Sequence, residues 1–210
     1  MNNPLIPVLL AGGLLLTGCN EQGAGGMPAD PTSGPGLELL DVAERGDVSA
    51  LDVLLGSRVA PDVRDQCQWT PLMKAALNGH LDAVARLLQA GAGVDAEDKG
   101  GYTALMLAAS NNHPRVVAAL LDAGAMIDHQ ERTEGVTALT WAAKRGHRET
   151  VDLLLARGAD RTLPDFSGKT ANDYIAGWDT LSRPGASPAD GLSGHAERRQ
   201  PLVSASKSGS

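Results

Sequence analysis

Three histidines recur at a nearly constant interval and are the first side chains in this sequence that could perform chemistry. His80, His113 and His147 are separated by 33 and 34 residues, and histidine is a common metal ligand. If the interval reflects stacked structural units, equivalent atoms lie about 10 Å apart, whereas zinc needs each ligand nitrogen about 2 Å from one centre. This distance excludes a metal site shared along the series. Each histidine is instead expected to hydrogen-bond the loop that joins its unit to the next.

Cys67 and His80 are the residues best suited to nucleophilic catalysis, in which a thiolate attacks and a histidine is its base. Cys67 precedes a predicted helix and His80 follows it, so we do not expect them to come within hydrogen-bond reach. The sequence contains no G-x-S-x-G, phosphate-binding-loop or H-E-x-x-H motif. We therefore expect no enzymatic activity and no cofactor, and we keep a thiol enzyme using Cys67 as a distant alternative.

Negative charge dominates the sequence, with 25 acidic residues against 18 basic ones and a net charge of -7. Such a protein repels nucleic-acid phosphates, so no nucleic-acid partner is expected. The acidic cluster Asp95, Glu97 and Asp98 could bind calcium, but it lacks the glycine and the closing glutamate of an EF-hand loop. Solvated loop charge is the favoured interpretation, and no metal site is expected.

A stretch of eleven residues occurs three times with small changes, and this repetition predicts the fold. The copies read TPLMKAALNGH, TALMLAASNNH and TALTWAAKRGH. Their threonines, Thr70, Thr103 and Thr137, and the later Thr170 are 33, 34 and 33 residues apart, a period typical of solenoids. Behind each copy, apolar residues spaced three and four apart predict a second helix that ends at Gly-Ala. A single such unit cannot bury its apolar face, so the units must stack.

The positions within each unit have separate structural tasks. Threonine is the expected N-cap of the first helix, and Leu72, Leu105 and Leu139 are expected in the core. Gly79 and Gly146 are expected to end the first helix in a left-handed conformation, with Asn112 as the substitute in the unit between them. In the first unit Arg58 stands where later second helices have glycine, so that turn is either strained or rebuilt.

These residues resemble the T-P-L-H-x-A signature of ankyrin repeats, which Thr70 to Ala75 match closely. The resemblance implies an all-α solenoid over residues 37–178, with units at 37–64, 65–97, 98–131 and 132–164 and a partial cap at 165–178. It also implies that the tips of the fingers, the loops between units, and the outward side of the first helices line one concave face that grips a protein. The stretches 19–36 and 179–210 are expected to be a flexible tether and a disordered tail.

The N-terminus carries an apolar run, residues 5–16, that is shorter than the roughly 20 residues of a membrane-spanning helix. We expect residues 1–18 to be an export signal. Residues 16–19, LTGC, resemble the lipobox of bacterial lipoproteins, which implies lipid on Cys19 and, with Asn20 behind it, an outer-membrane lipoprotein facing the periplasm. The alternative is an ordinary cleaved signal and a soluble periplasmic protein. With Cys19 lipidated, Cys67 is expected to be an inert, part-buried thiol with no internal disulfide.

We expect a non-catalytic, monomeric scaffold that binds a protein partner through its concave face. The alternative within binding is an immunity lipoprotein that neutralises a toxin delivered to the periplasm. Aromatic residues at the fingers are the main argument for this face, because such rings often dominate binding energy; alternatively, they pack on the neighbouring turn. The predicted contact residues are Gln66, Trp69, Leu77, Asn78, Lys99, Tyr102, Ser110, Asn111, Glu134, Val136, Lys144, Arg145 and Phe166.

Overall fold

The computed structural model describes residues 34–181. That range is all α-helical, without a β-strand, which confirms the predicted fold class, and none of its helices is long and apolar enough to cross a bilayer. The helices are α1 Pro35–Arg45, α2 Val48–Gly56, α3 Pro71–Leu77, α4 Leu81–Gln89, α5 Ala104–Ser110, α6 Pro114–Asp122, α7 Ala138–Arg145, α8 Arg148–Ala156 and α9 Ala171–Leu181.

The helices pair within each unit and stack between units. The first helices α1, α3, α5, α7 and α9 form one row in which each contacts the next, and the second helices α2, α4, α6 and α8 form another. One hydrophobic core runs through both rows. Each unit therefore buries its apolar face against its neighbours, as the repeat period predicted.

The core contains the leucines expected there. Leu72, Leu105 and Leu139 are at most 1% exposed. Two alanines follow each leucine on the first helix, and their small side chains let neighbouring helices approach closely. These alanines are also buried: Ala75, Ala76, Ala108, Ala109, Ala142 and Ala143.

The repeated threonines begin the first helices as predicted. The hydroxyl oxygens of Thr70, Thr103 and Thr137 accept hydrogen bonds from backbone amides three residues ahead, at 3.3, 3.5 and 3.1 Å. Each bond satisfies an amide that has no partner inside its helix. Thr170 differs, because its own amide donates to the carboxylate of Asp173 at 2.8 Å, which resembles half of a capping box.

The first helices end in the left-handed conformation that their sequences predict. Gly79, Asn112 and Gly146 have φ angles of 76°, 58° and 76°. Glycine at position 79 is also needed for space, because an added Cβ would lie 2.6 Å from the His113 ring. The histidine of the next unit therefore packs directly against this turn and leaves no room there for a side chain.

Arg58 keeps the left-handed turn rather than rebuilding it, with a φ of 65°. A side chain in this region costs about 1–2 kcal/mol, so Arg58→Gly should raise the free energy of unfolding by about 1 kcal/mol, the flexibility of glycine in the unfolded chain offsetting part of the gain. Urea unfolding followed by circular dichroism measures it. Gly91→Ala is the opposite control, since φ is 88° and nothing lies within 4 Å of an added Cβ; it should destabilise through the backbone alone. An Arg58→Gly protein no more stable than wild type would contradict the strain.

Two predicted boundaries are corrected. α1 begins at Pro35, inside the stretch expected to be tether, and α9 continues to Leu181 rather than ending near Trp178. The N-terminal extension is the first turn of α1, where proline is tolerated because that amide needs no helical partner. The predicted export signal, Cys19 and the predicted tail beyond residue 181 lie outside the described residues.

Candidate functional site

A finger precedes each of α3, α5, α7 and α9, and each begins with a carboxylate that organises it. We define the fingers as residues 65–69, 98–102, 131–136 and 165–169. Asp65 accepts hydrogen bonds from the amides of the second and fourth residues after it, at 2.8 and 2.9 Å. Asp98 and Asp165 repeat the pattern at 2.8 to 3.0 Å. This role was not predicted from the sequence, although a carboxylate at each repeat interval was a visible signal.

The third finger is one residue longer than the others, and its first residue is a glutamate, whose side chain is longer than the aspartate of the other fingers. Glu131 is 1% exposed, and its two oxygens accept from the amides of Thr133, Glu134 and Val136 at 2.5, 2.7 and 3.1 Å. The Thr133 hydroxyl donates to it as well. The extra methylene of glutamate lets the carboxylate reach across the inserted residue, so the finger keeps the same kind of internal support.

Consecutive fingers are also joined to one another through the backbone. The amide of Lys99 donates to the Cys67 carbonyl at 3.2 Å, that of Arg132 to the Gly100 carbonyl at 2.8 Å, and that of Phe166 to the Glu134 carbonyl at 2.8 Å. The four fingers therefore form one connected edge of the stack, held by internal carboxylates and by these bonds.

The finger carboxylates have shifted pKa values with identifiable causes. The Ser167 hydroxyl, together with amides of the finger and the Tyr174 hydroxyl, lowers the pKa of Asp165 to about 2. Burial raises the pKa of Glu131, but the bonds from Thr133, Val136 and Glu134 outweigh it, so the net shift is downward. For Asp98 the effect of burial exceeds that of the hydrogen bonds from the finger amides, so the pKa is raised. Tyr174, which donates to Asp165 at 2.9 Å, has a pKa raised to about 12 by burial and by that carboxylate.

The lowered pKa of Asp165 predicts an acid-dependent loss of stability. The folded pKa lies below the ordinary 3.8, so the stability from the ionised carboxylate is present above about pH 4 and is lost as pH falls toward 2. Asp165→Asn should reduce the slope of unfolding free energy against pH in that window by up to about 1.4 kcal/mol per pH unit. Urea titrations at a series of pH values measure the slope. In Tyr174→Phe the folded pKa of Asp165 should be lowered less, so the loss should end at a higher pH and be smaller in total; equal slopes for wild type and Asp165→Asn would contradict the assignment.

Cations lie over aromatic rings at the end of the row of first helices. The Lys144 ammonium is 4.9 Å from the Trp141 ring centroid and 5.8 Å from that of Tyr174. Arg145 lies 5.7 Å from Trp141, and Lys169 lies 5.6 Å from Tyr174. These contacts join side chains of α7, the fourth finger and α9, and they were not predicted from the sequence.

Two family models for ankyrin repeats match this sequence, one over residues 39–131 and one over residues 120–175. Together they cover the stack from α1 into α9. The chain is an ankyrin-repeat protein. A search of curated proteins found no significant match. Ankyrin repeats are protein-interaction modules, and no catalytic family is indicated by these matches.

The ankyrin stack buries four of the predicted contact residues, and this corrects part of the proposed surface. Trp69 and Tyr102 are 8% exposed, Ser110 is 4% exposed and Val136 is fully buried. The Tyr102 ring packs near Trp141, with centroids 6.3 Å apart, and its hydroxyl pairs with that of Thr133 at 3.2 Å. These side chains pack between units, as the alternative interpretation held, and they offer little area to a partner.

The other nine predicted contact residues are accessible on the fingers and at the ends of the first helices of the ankyrin stack, and their part in binding stays a prediction. Phe166 is 70% exposed at the tip of the fourth finger. Leu77 and Arg145 are the last residues of α3 and α7, Asn111 directly follows α5, and all three are half-buried. The remaining exposed residues are Gln66, Asn78, Lys99, Glu134 and Lys144.

The histidines connect neighbouring ankyrin units, in the direction opposite to the prediction. The Nε2 atoms of His80, His113 and His147 lie 2.9 to 3.0 Å from the carbonyl oxygens of Glu44, Leu77 and Ser110. Each histidine thus donates to the end of the first helix in the preceding unit, not to the loop leading to the next. The described part of the chain contains no cluster of histidine, cysteine and carboxylate side chains suited to a metal ion.

The acidic cluster at the second unit is used within the fold. Asp95 accepts from the Met126 amide at 2.8 Å, Glu97 is ion-paired with Arg132, and Asp98 organises its finger. These carboxylates act as structural acceptors and ion-pair partners, which refines the expectation of solvated loop charge.

Cys67 is half-buried in the first finger and is bonded in a disulfide, which corrects the expectation of an inert thiol. The only other cysteine in the sequence, Cys19, lies outside the described residues. A disulfide sulfur is not a thiolate nucleophile, so the thiol-enzyme alternative lacks its reactive group in this state.

Proposed function

We propose that this ankyrin-repeat protein is a non-catalytic scaffold that holds a folded protein partner on its concave face. The observation that carries the proposal is the construction of the fingers. Their bases are held by buried carboxylates such as Glu131 and by backbone bonds between neighbours, while their tips expose side chains that differ from unit to unit. A surface held rigid before binding loses little conformational entropy when a partner docks.

Affinity capture from the cells that produce the protein tests this function. The tagged full chain should retain a protein partner, and substitution of the exposed finger residues Lys99 and Phe166 by alanine should reduce recovery of that partner. Arg115→Ala with Met126→Ala is the matched control, because both residues are exposed and lie outside the fingers. Equal loss in both variants, or loss only in the control, would contradict binding through the concave face.

We also propose that the scaffold is anchored to a bacterial cell envelope through lipid on Cys19, with the repeats in the periplasm. The support is the short apolar run followed by LTGC in the sequence. A sulfur that carries lipid cannot form a disulfide, so the anchored form proposed here is one in which the two cysteines of the chain are not bonded to each other. Labelled palmitate should enter the wild-type protein and not Cys19→Ser; wild-type protein without label, together with an alkylation-resistant Cys67, would overturn the anchor.

A further inference from the structure

A group of basic and aromatic side chains from α7, the fourth finger and α9 lies together at the C-terminal end of the row of first helices. We define this basic–aromatic patch as Trp141, Lys144, Arg145, Lys169 and Tyr174. Three cations lie over two rings, at 4.9 to 5.8 Å from the ring centroids. The rings hold the cationic groups close together, which places positive charge on a protein whose net charge is -7.

The cations of the patch are only partly neutralised by the chain itself. Lys144 pairs with Glu134 at 2.6 Å, whereas Arg145 and Lys169 have no carboxylate at ion-pair distance among residues 34–181. The carboxylates of Asp165 and Asp173 accept hydrogen bonds within the fourth finger and at the start of α9 and keep their negative charge, and the pKa of Asp173 is lowered by the Thr170 amide and hydroxyl and also by the charge of Lys169. Arg145 therefore remains fully available to an anionic partner, whereas Lys144 and Lys169 are each partly offset by a carboxylate of the chain.

Trp141 contributes to the patch a buried hydrogen-bond donor that has no acceptor within residues 34–181. Its side chain is 6% exposed, and its indole Nε1 is buried without a hydrogen-bond acceptor in the described residues. A buried donor without an acceptor costs about 1–3 kcal/mol. A partner that brings an oxygen to this ring, with a small tilt of the indole, would relieve that cost in the complex.

We propose that the basic–aromatic patch binds a carboxylate-rich segment of the protein partner, an inference that rests on the proposed scaffold function. The cations stand along α7 and the fourth finger rather than around one point, which suits successive aspartate and glutamate side chains on one extended segment. Stacking on the rings restricts the cationic side chains before binding, so little of their rotamer freedom is lost. Glu134 is the internal competitor, since its carboxylate occupies the Lys144 ammonium.

Peptide binding to the purified full chain tests the proposal. The probe is a short peptide of alternating glutamate and aspartate, and its twin carries glutamine and asparagine in the same order. Isothermal titration should show the acidic peptide binding at least about tenfold more tightly than the twin, with an affinity that falls as salt rises. Inorganic phosphate is run as a competitor, and displacement of the peptide at equimolar phosphate would overturn the peptide class in favour of a small anion.

Matched charge reversals then locate the binding. Arg145→Glu and Lys169→Glu should each weaken binding of the acidic peptide by about tenfold. Arg115→Glu changes the net charge equally on an exposed position of α6 and should change the affinity less than twofold. Glu134→Gln should strengthen binding a few-fold because it frees Lys144. Equal affinity for both peptides, no binding, or equal effects of Arg145→Glu and Arg115→Glu would overturn the proposal.

Failure of the acidic-peptide proposal can be distinguished from failure of the proposed scaffold function. If the native partner is captured by the wild type and lost on Lys99 and Phe166 substitution but is unaffected by Arg145→Glu, the concave face binds and the patch does not. If no concave-face variant affects capture while the acidic peptide still binds, the patch exists and the proposed function fails.

Discussion

Leu105→Ala should lower the free energy of unfolding by about 2–5 kcal/mol, since it deletes buried methyl groups and leaves a cavity. Leu105 is 1% exposed on α5, every residue of which is buried. This helix contacts the first helices on both sides, α3 and α7. A cavity there weakens both neighbouring interfaces of the stack, so no adjacent unit can compensate.

Urea unfolding followed by circular dichroism at one temperature gives the free energy for wild type and variant. Val53→Ala is the matched control, because Val53 is apolar but 68% exposed on α2, and its loss should change stability by less than about 0.5 kcal/mol. A Leu105→Ala protein as stable as Val53→Ala would mean that the register of the repeats is misplaced.

Glu131→Ala should cost about 1–3 kcal/mol, because it removes the acceptor for three finger amides. The Val136 amide is buried with its residue and cannot turn to solvent, whereas Thr133 and Glu134 lie at the surface. Glu131→Asp should recover only part of this loss, since the shorter side chain cannot span the longer finger. Because the folded pKa of Glu131 is lowered, the contribution should be present above its ordinary pKa and be lost as pH falls through the folded value.

A double-mutant cycle tests whether glutamate compensates for the inserted residue. Deletion of Thr133 shortens the third finger to the length of the others, and Glu131→Asp gives it their carboxylate. Each change alone should destabilise, and the double variant should be more stable than the sum of the two predicts, by about 0.5–3 kcal/mol of coupling. Additive losses in the unfolding free energy would mean that side-chain length and finger length are independent.

The stack could be predicted from the sequence because its determinants are local and repeat. The threonine caps, the buried leucines and the left-handed turn at Asn112 each follow from residue type and the interval between units. At Arg58 the left-handed turn after the second helix is kept even though arginine is unfavourable in that conformation. Helix ends were less predictable, and α9 runs beyond Trp178 because no glycine or proline directly after that tryptophan stops it.

Burial within the fingers was mispredicted because exposure there depends on which loop position is considered. Trp69, Tyr102 and Val136 all stand directly before a repeated threonine, and the apolar residue shared by this position was the available signal for packing between units. Phe166 stands directly after the carboxylate, at the tip, where the other fingers have polar residues. Aromatic content alone did not separate these two positions.

The basic–aromatic patch was outside the reach of sequence reasoning. Its contacts join α7 to the fourth finger and α9, so they depend on distances between units rather than on spacing along the chain. Lys144 and Arg145 were visible as a basic pair, but their placement over Trp141 and Tyr174 required the packed stack.

Site-specific photo-cross-linking in the producing cells tests the central claim most directly. A photoreactive amino acid at Asn78 or Lys99 reports on the concave face, and the same residue at Gln89 or Met126 reports on exposed positions away from it. We expect one protein partner to be cross-linked from Asn78 and Lys99 and not from Gln89 or Met126. Adducts to the partner from Gln89 or Met126, with none from the concave positions, would contradict a scaffold that binds through its fingers and first helices.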